Sequence, residues 1–559
     1  MTDIKASANA EKQPLQNIQK LTTGQAVAKS LMAQGVDTVF GIPGIHIYNF
    51  IDAIAQEPIN FVLTRHEQGA AYMAFGYAKS TGKTGVYTVV PGPGMLNSSA
   101  ALCTAYGANT PLLCITGNIM SHLIGKGRGQ LHELPDQLTT MRGFTGWAER
   151  IEHATQAPQL VAEAFRQMYQ GRIRPAVLES PWDTFGESAD VNLEVDRSIP
   201  VPPTPDRDSI AAAAELIRNA KNPLIIVGAG AYGASKEIED LAKLLQAPVT
   251  AHRSGKGVVS NDSPYGLLST AARIYWPKCD LLIGIGSRLE LAYFRWNWQP
   301  EGLKTVRIDI DPTEFVRLPT DMGIVTDAVL GTQALIDVLQ PLVGERSDRR
   351  QEFEKYKQAA EESFNELTPQ IGYLRAIRRA LPRDGFFVEE ITQMGFVARF
   401  AFPVYEPRQY VTCGYQDNLG FGFHTALGVK VGNPDKAVVA VCGDGGFMFG
   451  VQELATAVQQ QINLVTIIFN NSAFGNVRRD QLEQFDGRLL GADLVNPDFV
   501  ALANSFGAKG LEVESPEQLE VAISKGFREK GPVVIVVTFE RGSESSPWPF
   551  VHPAPPNSE

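Results

Sequence analysis

The amino-acid sequence predicts an α/β protein of three doubly wound parallel-sheet domains, and three observations carry that prediction. The chain has 559 residues, too many for one hydrophobic core. Short β-branched runs alternate with helix-like stretches almost throughout, as in parallel sheets covered by helices on both faces. Two breaks, one Pro-rich and one highly charged, divide this alternation into three lengths.

In chain order, residues 1–16 are polar, lack an apolar run, and read as a disordered leader. The first domain, 17–188, contains the strand-like runs VYTVV and PLLCIT. "SIPVPPTPDRD" (198–208) reads as a linker, because its prolines exclude regular pairing. The second domain, 206–342, carries NPLIIV, DLLIGIG and TVRIDI, and the stretch 344–368 reads as a solvated, charged helix. The third domain, 369–540, carries AVVAVC, NLVTIIF and PVVIVV, and 541–559 forms a Pro-rich, irregular tail. A net charge of -11 argues against non-specific nucleic-acid binding. No apolar run is long enough for a bilayer, so no membrane role is expected. The five cysteines form no CxxC pair and read as reduced thiols of a cytoplasmic protein.

The third domain holds the sharpest chemical signal, "GDGGFMFGVQELATAVQQQINLVTIIFNN". AVVAVC and NLVTIIF are buried parallel strands, and the segment between them suits a right-handed crossover helix. Such strands end side by side at the sheet edge where ligands bind. Asp444 follows the first strand and Asn471 ends the second, so their side-chain oxygens converge. Hard oxygen donors of this kind suit Mg²⁺. Gly443, Gly445 and Gly446 let backbone N–H groups approach an anion closely. A magnesium-bridged diphosphate satisfies all of these features, whereas a plain βαβ unit would need only its two turns.

GDG, 24 residues, then NN resembles the thiamine-diphosphate (ThDP) signature of the acetolactate synthase, pyruvate oxidase and benzaldehyde lyase family. "FGIPG", "TRHEQGAAYMAFGYA", "PGPGMLNSSAALCTAYGANTPLLCITG" and "GYQDNLGFGFHTALG" match that family in order. The resemblance implies pyrimidine-binding, central Rossmann-like and diphosphate-binding domains, with ThDP and Mg²⁺ as cofactors. It implies that Asp444, Asn471 and the carbonyl of Ala473 hold the metal, with Gly445 and Gly446 against the diphosphate. Glu67 matches the carboxylate that activates the cofactor through N1′, a role requiring low polarity; read from position alone, it only opens a helix. Leu419 matches the apolar wedge that bends the cofactor. Asp417 stands where relatives commonly have Gly, so only its main-chain carbonyl is carried over. Thr392 and Gln393 fall at the diphosphate-contact turn, though both could simply open a helix. His46 and His132 match pocket positions and could relay protons. A homodimer or homotetramer with sites between subunits is also implied.

The implied activity is C–C bond cleavage or formation on a 2-oxo acid, acyloin or 2-hydroxyacyl compound, through a C2-ylide and an enamine. Acetolactate synthase is the alternative, but Asp480 stands where synthases typically carry Trp, and Asn476 where they carry Met. A silent binding subunit would have no need to keep Glu67, Asp444 and Asn471. An NAD(P) oxidoreductase is suggested only by Gly228, Gly230 and Gly233 as GxGxxG. The next strand then offers His252 and Arg253 rather than the required acid. FAD is possible by family pattern, and no motif supports it.

Overall fold

The computed structural model of the protein describes residues 18–555. The leader expected over 1–16 and the last four residues of the tail lie outside the described residues. Three six-stranded parallel sheets lie along the chain, each flanked by helices. The first runs Asn60–Leu63, Thr38–Gly41, Gly85–Val89, Leu112–Asn118, Ala176–Pro181, Trp147–Arg150 in spatial order. The second runs Gly266–Leu267, Val249–Thr250, Pro223–Val227, Leu281–Ile285, Lys304–Asp309, Met322–Val325. The third runs Tyr410–Val411, Phe386–Val388, Val438–Gly443, Val465–Asn470, Val533–Thr538, Lys509–Val513. Central strands such as Val465–Asn470 are buried along nearly their whole length, which is why their sequences are continuous apolar runs. Among the described residues no helix is long and apolar enough to cross a membrane.

Strand order fixes where a ligand can enter. In the third sheet the chain first moves from Phe386–Val388 outward to Tyr410–Val411, then returns to build the other side from Val438–Gly443. The crevice lies beyond the carboxyl ends of Phe386–Val388 and Val438–Gly443, where the order reverses. The first sheet reverses likewise between Thr38–Gly41 and Gly85–Val89.

Three elements differ from the sequence reading. Ser188–Asn192 returns to pair antiparallel with Ile18–Thr22. The charged helix Arg350–Ser363 is not solvated all round: Phe353 and Ala360 are buried, making an apolar stripe too narrow for its composition to reveal. The tail contains a one-turn helix, Trp548–Val551. Two of the GxGxxG glycines, Gly228 and Gly230, permit close packing. A Cβ on Gly228 would overlap the carbonyl oxygen of Gly286, and one on Gly230 would lie 2.9 Å from the Gly286 Cα. The motif lets two strand-end turns touch.

The first and third domains meet through helices Glu67–Thr81 and Gly422–Gly432. A Cβ on Gly76 would fall on the carbonyl oxygen of Thr425, and one on Gly428 on that of Met73. These backbones are in contact, and neither carbonyl can rotate away without breaking its helix. Gly428→Ala is expected to destabilise the protein by about 1–3 kcal/mol, the usual penalty of overpacking. The check is the first thermal unfolding transition. Gly531→Ala, whose methyl group would meet nothing within 4 Å, should leave that transition in place.

Candidate active site

Thr392, Gln393, Leu419, Gly443, Asp444, Gly445, Gly446, Asn471 and Ala473 line one cavity of about 120 Å³ at the reversal point of the third sheet. Asp444 is 2% exposed. Its carboxylate accepts from Asn496 Nδ2 at 2.7 Å, and the same amide donates to Asn470 Oδ1 at 2.9 Å. Burial pushes the Asp444 carboxyl above the usual carboxylate range, with the Asn496 amide working against it. Asn471 Oδ1 accepts from the backbone N–H of Ala473 at 3.1 Å. Thr392 caps the helix Gln393–Ala401, accepting from Gly395 N at 3.1 Å. The helix-opening role is therefore the one its side chain performs here.

The residues present suit a divalent cation and a diphosphate. A Cβ on Gly446 would lie 2.8 Å from the Glu390 carboxyl carbon, and one on Gly445 would overlap Phe474. This leaves backbone as the wall of the cradle. Gln393 is nine-tenths buried, and its Oε1 is an acceptor without a partner in this wall. The waters retained by a hard cation are donors of the kind it lacks.

Leu419 is aimed by a loop held from three domains. Asn418 accepts from Thr104 at 3.1 Å and donates to Tyr72 at 2.5 Å, both in the first domain. Asp417 takes a left-handed backbone conformation, φ 44°. Its carboxylate is absorbed by Arg399 at 2.8 Å and by Arg253, of the central domain, at 3.1 Å. That side chain is a structural anchor. Behind the loop, buried Glu390 accepts from Phe421 N at 3.0 Å, and burial raises its pKa to about 7.

Glu67, His46 and His132 do not line this cavity; they sit at the carboxyl edge of the first sheet. Glu67 opens its helix, is partly exposed, and accepts from Asn97 Nδ2 at 3.1 Å. The low-polarity surroundings expected for it are thus not found around its partly exposed side chain. His46 and His132 are brought together, stacked with ring centroids 4.9 Å apart. His46 Nε2 contacts the carbonyl of Leu131 at 3.1 Å, while Nδ1 of both rings has no partner. Burial, then the neighbouring His132, lowers the His46 pKa. Sequence reasoning missed Asn496 and Glu390: each acts across a long sequence separation, and neither carries a local motif.

Comparison with known proteins agrees with this layout. Residues 21–140 match the thiamine pyrophosphate enzyme N-terminal TPP binding domain, 210–335 the central domain, and 390–537 the C-terminal TPP binding domain. The chain is 32% identical over 537 residues to a probable 2-ketoarginine decarboxylase of Pseudomonas aeruginosa, covering 93% of this chain and 95% of that protein. It is 30% identical over 556 residues to acetolactate synthase isozyme 2 large subunit of Escherichia coli, covering 96% and 98%. It is 31% identical over 544 residues to the acetolactate synthase large subunit of Haemophilus influenzae, covering 93% and 94%.

Asp444→Ala is expected to weaken binding of ThDP with Mg²⁺ at least about a hundredfold, the scale of a lost metal-site group. Circular dichroism should be unchanged, since the group faces a cavity. Full calorimetric affinity in this variant would remove Asp444 from the site.

Proposed function

The chain belongs to the thiamine pyrophosphate enzyme family, and from that premise we propose that it decarboxylates a 2-oxo acid with a polar side chain. It is a ThDP-dependent enzyme of acetolactate-synthase-like type with decarboxylase or carboligase activity. The finer assignment rests on one observation, the polar pair Gln393 and Asn476 in the cavity wall. Gln393 Nε2 and Arg479 Nη2 both donate to Asn476 Oδ1, at 2.9 and 2.8 Å. Asn476 and Asp480 stand where synthases typically carry Met and Trp, and Asn476 places an amide in a cavity wall otherwise formed largely by apolar side chains such as Met394, Leu419, Phe474 and Val477. The relative named as a 2-ketoarginine decarboxylase supports a polar substrate.

When bound, the cofactor supplies a carbon nucleophile and an electron sink. Asp444, Asn471 and the Ala473 carbonyl would hold Mg²⁺, and Leu419 would fix the bend. Glu67 would hold the proton at the pyrimidine N1′. His46, kept neutral by its surroundings, would accept a proton at Nδ1, because its Nε2 faces the Leu131 carbonyl, and His132 would serve as a second proton-carrying group beside it. Because Glu67 does not line the cavity that holds the diphosphate cradle, the active unit is a homodimer or a dimer of dimers with sites between subunits. Exposed Leu96 beside Asn97, and exposed Met448 and Phe449 after the GDG turn, are apolar groups that such an interface would cover.

A panel of 2-oxo acids, with CO₂ release and product masses measured, tests the substrate class. Polar 2-oxo acids should exceed pyruvate at least about tenfold in kcat/KM, the scale of one hydrogen-bonding determinant. Acetolactate as the main product would refute the proposal. In Glu67→Gln, ThDP should still bind while turnover falls at least about a hundredfold. Exchange of the cofactor C2 proton should slow in parallel; equal exchange rates would remove Glu67 from activation. Sedimentation should give a dimer or tetramer, and an active monomer would contradict the shared site.

A further inference from the structure

The Asn471 carboxamide is held at both ends. Glu544, from the segment following strand Val533–Thr538, accepts from Asn471 Nδ2 through its two oxygens at 3.1 and 3.0 Å. The Ala473 N–H donates to Oδ1 from the other side. A carboxylate can only accept in this pair, and an N–H can only donate, so the amide cannot be flipped. Glu544 also lines the same cavity as Asp444 and Asn471.

We propose that Glu544 is a positioning residue for the cation site, fixing Asn471 so that Oδ1, and not Nδ2, faces the metal. This rests on Asp444 and Asn471 being the ligands. An amide offers an oxygen and a nitrogen of similar shape, and only the oxygen can ligate Mg²⁺. Without an acceptor at Nδ2 the amide can rotate and present a donor to the cation. Both Glu544 oxygens engage the nitrogen end of the amide, and that is the contact through which it acts.

The position of Glu544 is itself fixed. The next residue, Ser545, donates from its backbone N and Oγ to the Thr368 carbonyl, at 3.2 and 2.8 Å. Gln370 Nε2 returns a bond to the Ser545 carbonyl at 2.6 Å. Beyond it, Trp548 packs on Phe396, of the helix capped by Thr392, with centroids 5.2 Å apart. The C-terminal segment is thereby anchored immediately beyond Glu544. Asn496 treats Asp444 in the same manner, so each ligand has its own orienting group.

The test is calorimetric titration of Mg²⁺ into the full-length protein at saturating ThDP, without substrate. Glu544→Ala should weaken Mg²⁺ about 10–100-fold, the usual effect of losing an outer-shell partner. Glu544→Gln, which keeps an acceptor for Nδ2, should recover most of that loss. Wild-type affinity in Glu544→Ala overturns the proposal, as does tighter binding, which would make the carboxylate a competitor of the diphosphate. Equal weakening in both variants also overturns it, because charge rather than hydrogen bonding would then be at work. Asp444→Ala in the same titration separates the two readings. Loss of affinity there, with none in Glu544→Ala, refutes the positioning role alone; retained affinity there refutes the site and the role together.

Discussion

Backbone contact between the helices Glu67–Thr81 and Gly422–Gly432 is the constraint on which the rest of the molecule depends. Each helix contributes one glycine, Gly76 or Gly428, at a place where any side chain would strike a main-chain carbonyl. The contact joins the first domain to the third without intervening side chains, so their relative placement is nearly rigid. It also has chemical consequences. One helix begins at Glu67, and the other follows the loop that carries Leu419. Buried Glu453 of the third domain strengthens the link, accepting from the N–H groups of Arg65 and His66 just before Glu67.

Buried carboxylates recur wherever a loop at a sheet edge must hold its shape. Glu453 secures the entry to the Glu67 helix, and Glu390 secures the residues after Leu419. Glu179, wholly buried in the first domain, takes Arg150 at 2.6 Å, Gln137 at 2.7 Å and Asn118 at 3.0 Å. Gln137 in turn accepts from Gly92 N, in the turn that touches His132. Each of these groups is expensive to bury and would be more expensive to leave unpaired, so each specifies one loop geometry. The site's precision derives from such supports more than from its ligands.

Much of this was legible in the sequence. Continuous apolar runs gave the strands, and strand ends gave Asp444 and Asn471, because side-chain period and strand direction are local properties. Where local chemistry was ambiguous, the reading ran short. Asp417 is carried over only for its main-chain carbonyl, and what its side chain does, held by two arginines from different domains, could not be read locally. The glycines at 228 and 230 also let two turns pack, a role their motif does not announce. The charged helix at 350–363 concealed its apolar stripe beneath its composition.

The sequence by itself determined the three parallel sheets and the oxygen donors at two strand ends, since periodicity and side-chain chemistry are written residue by residue, while the cofactor class followed from its resemblance to a known family. Tertiary structure alone decided that His46 stacks on His132, that Asn496 holds Asp444, and that Glu544 holds Asn471. Those pairings join residues far apart in the chain. Which donor an acceptor meets is fixed only when the domains pack and the alternatives are excluded by volume.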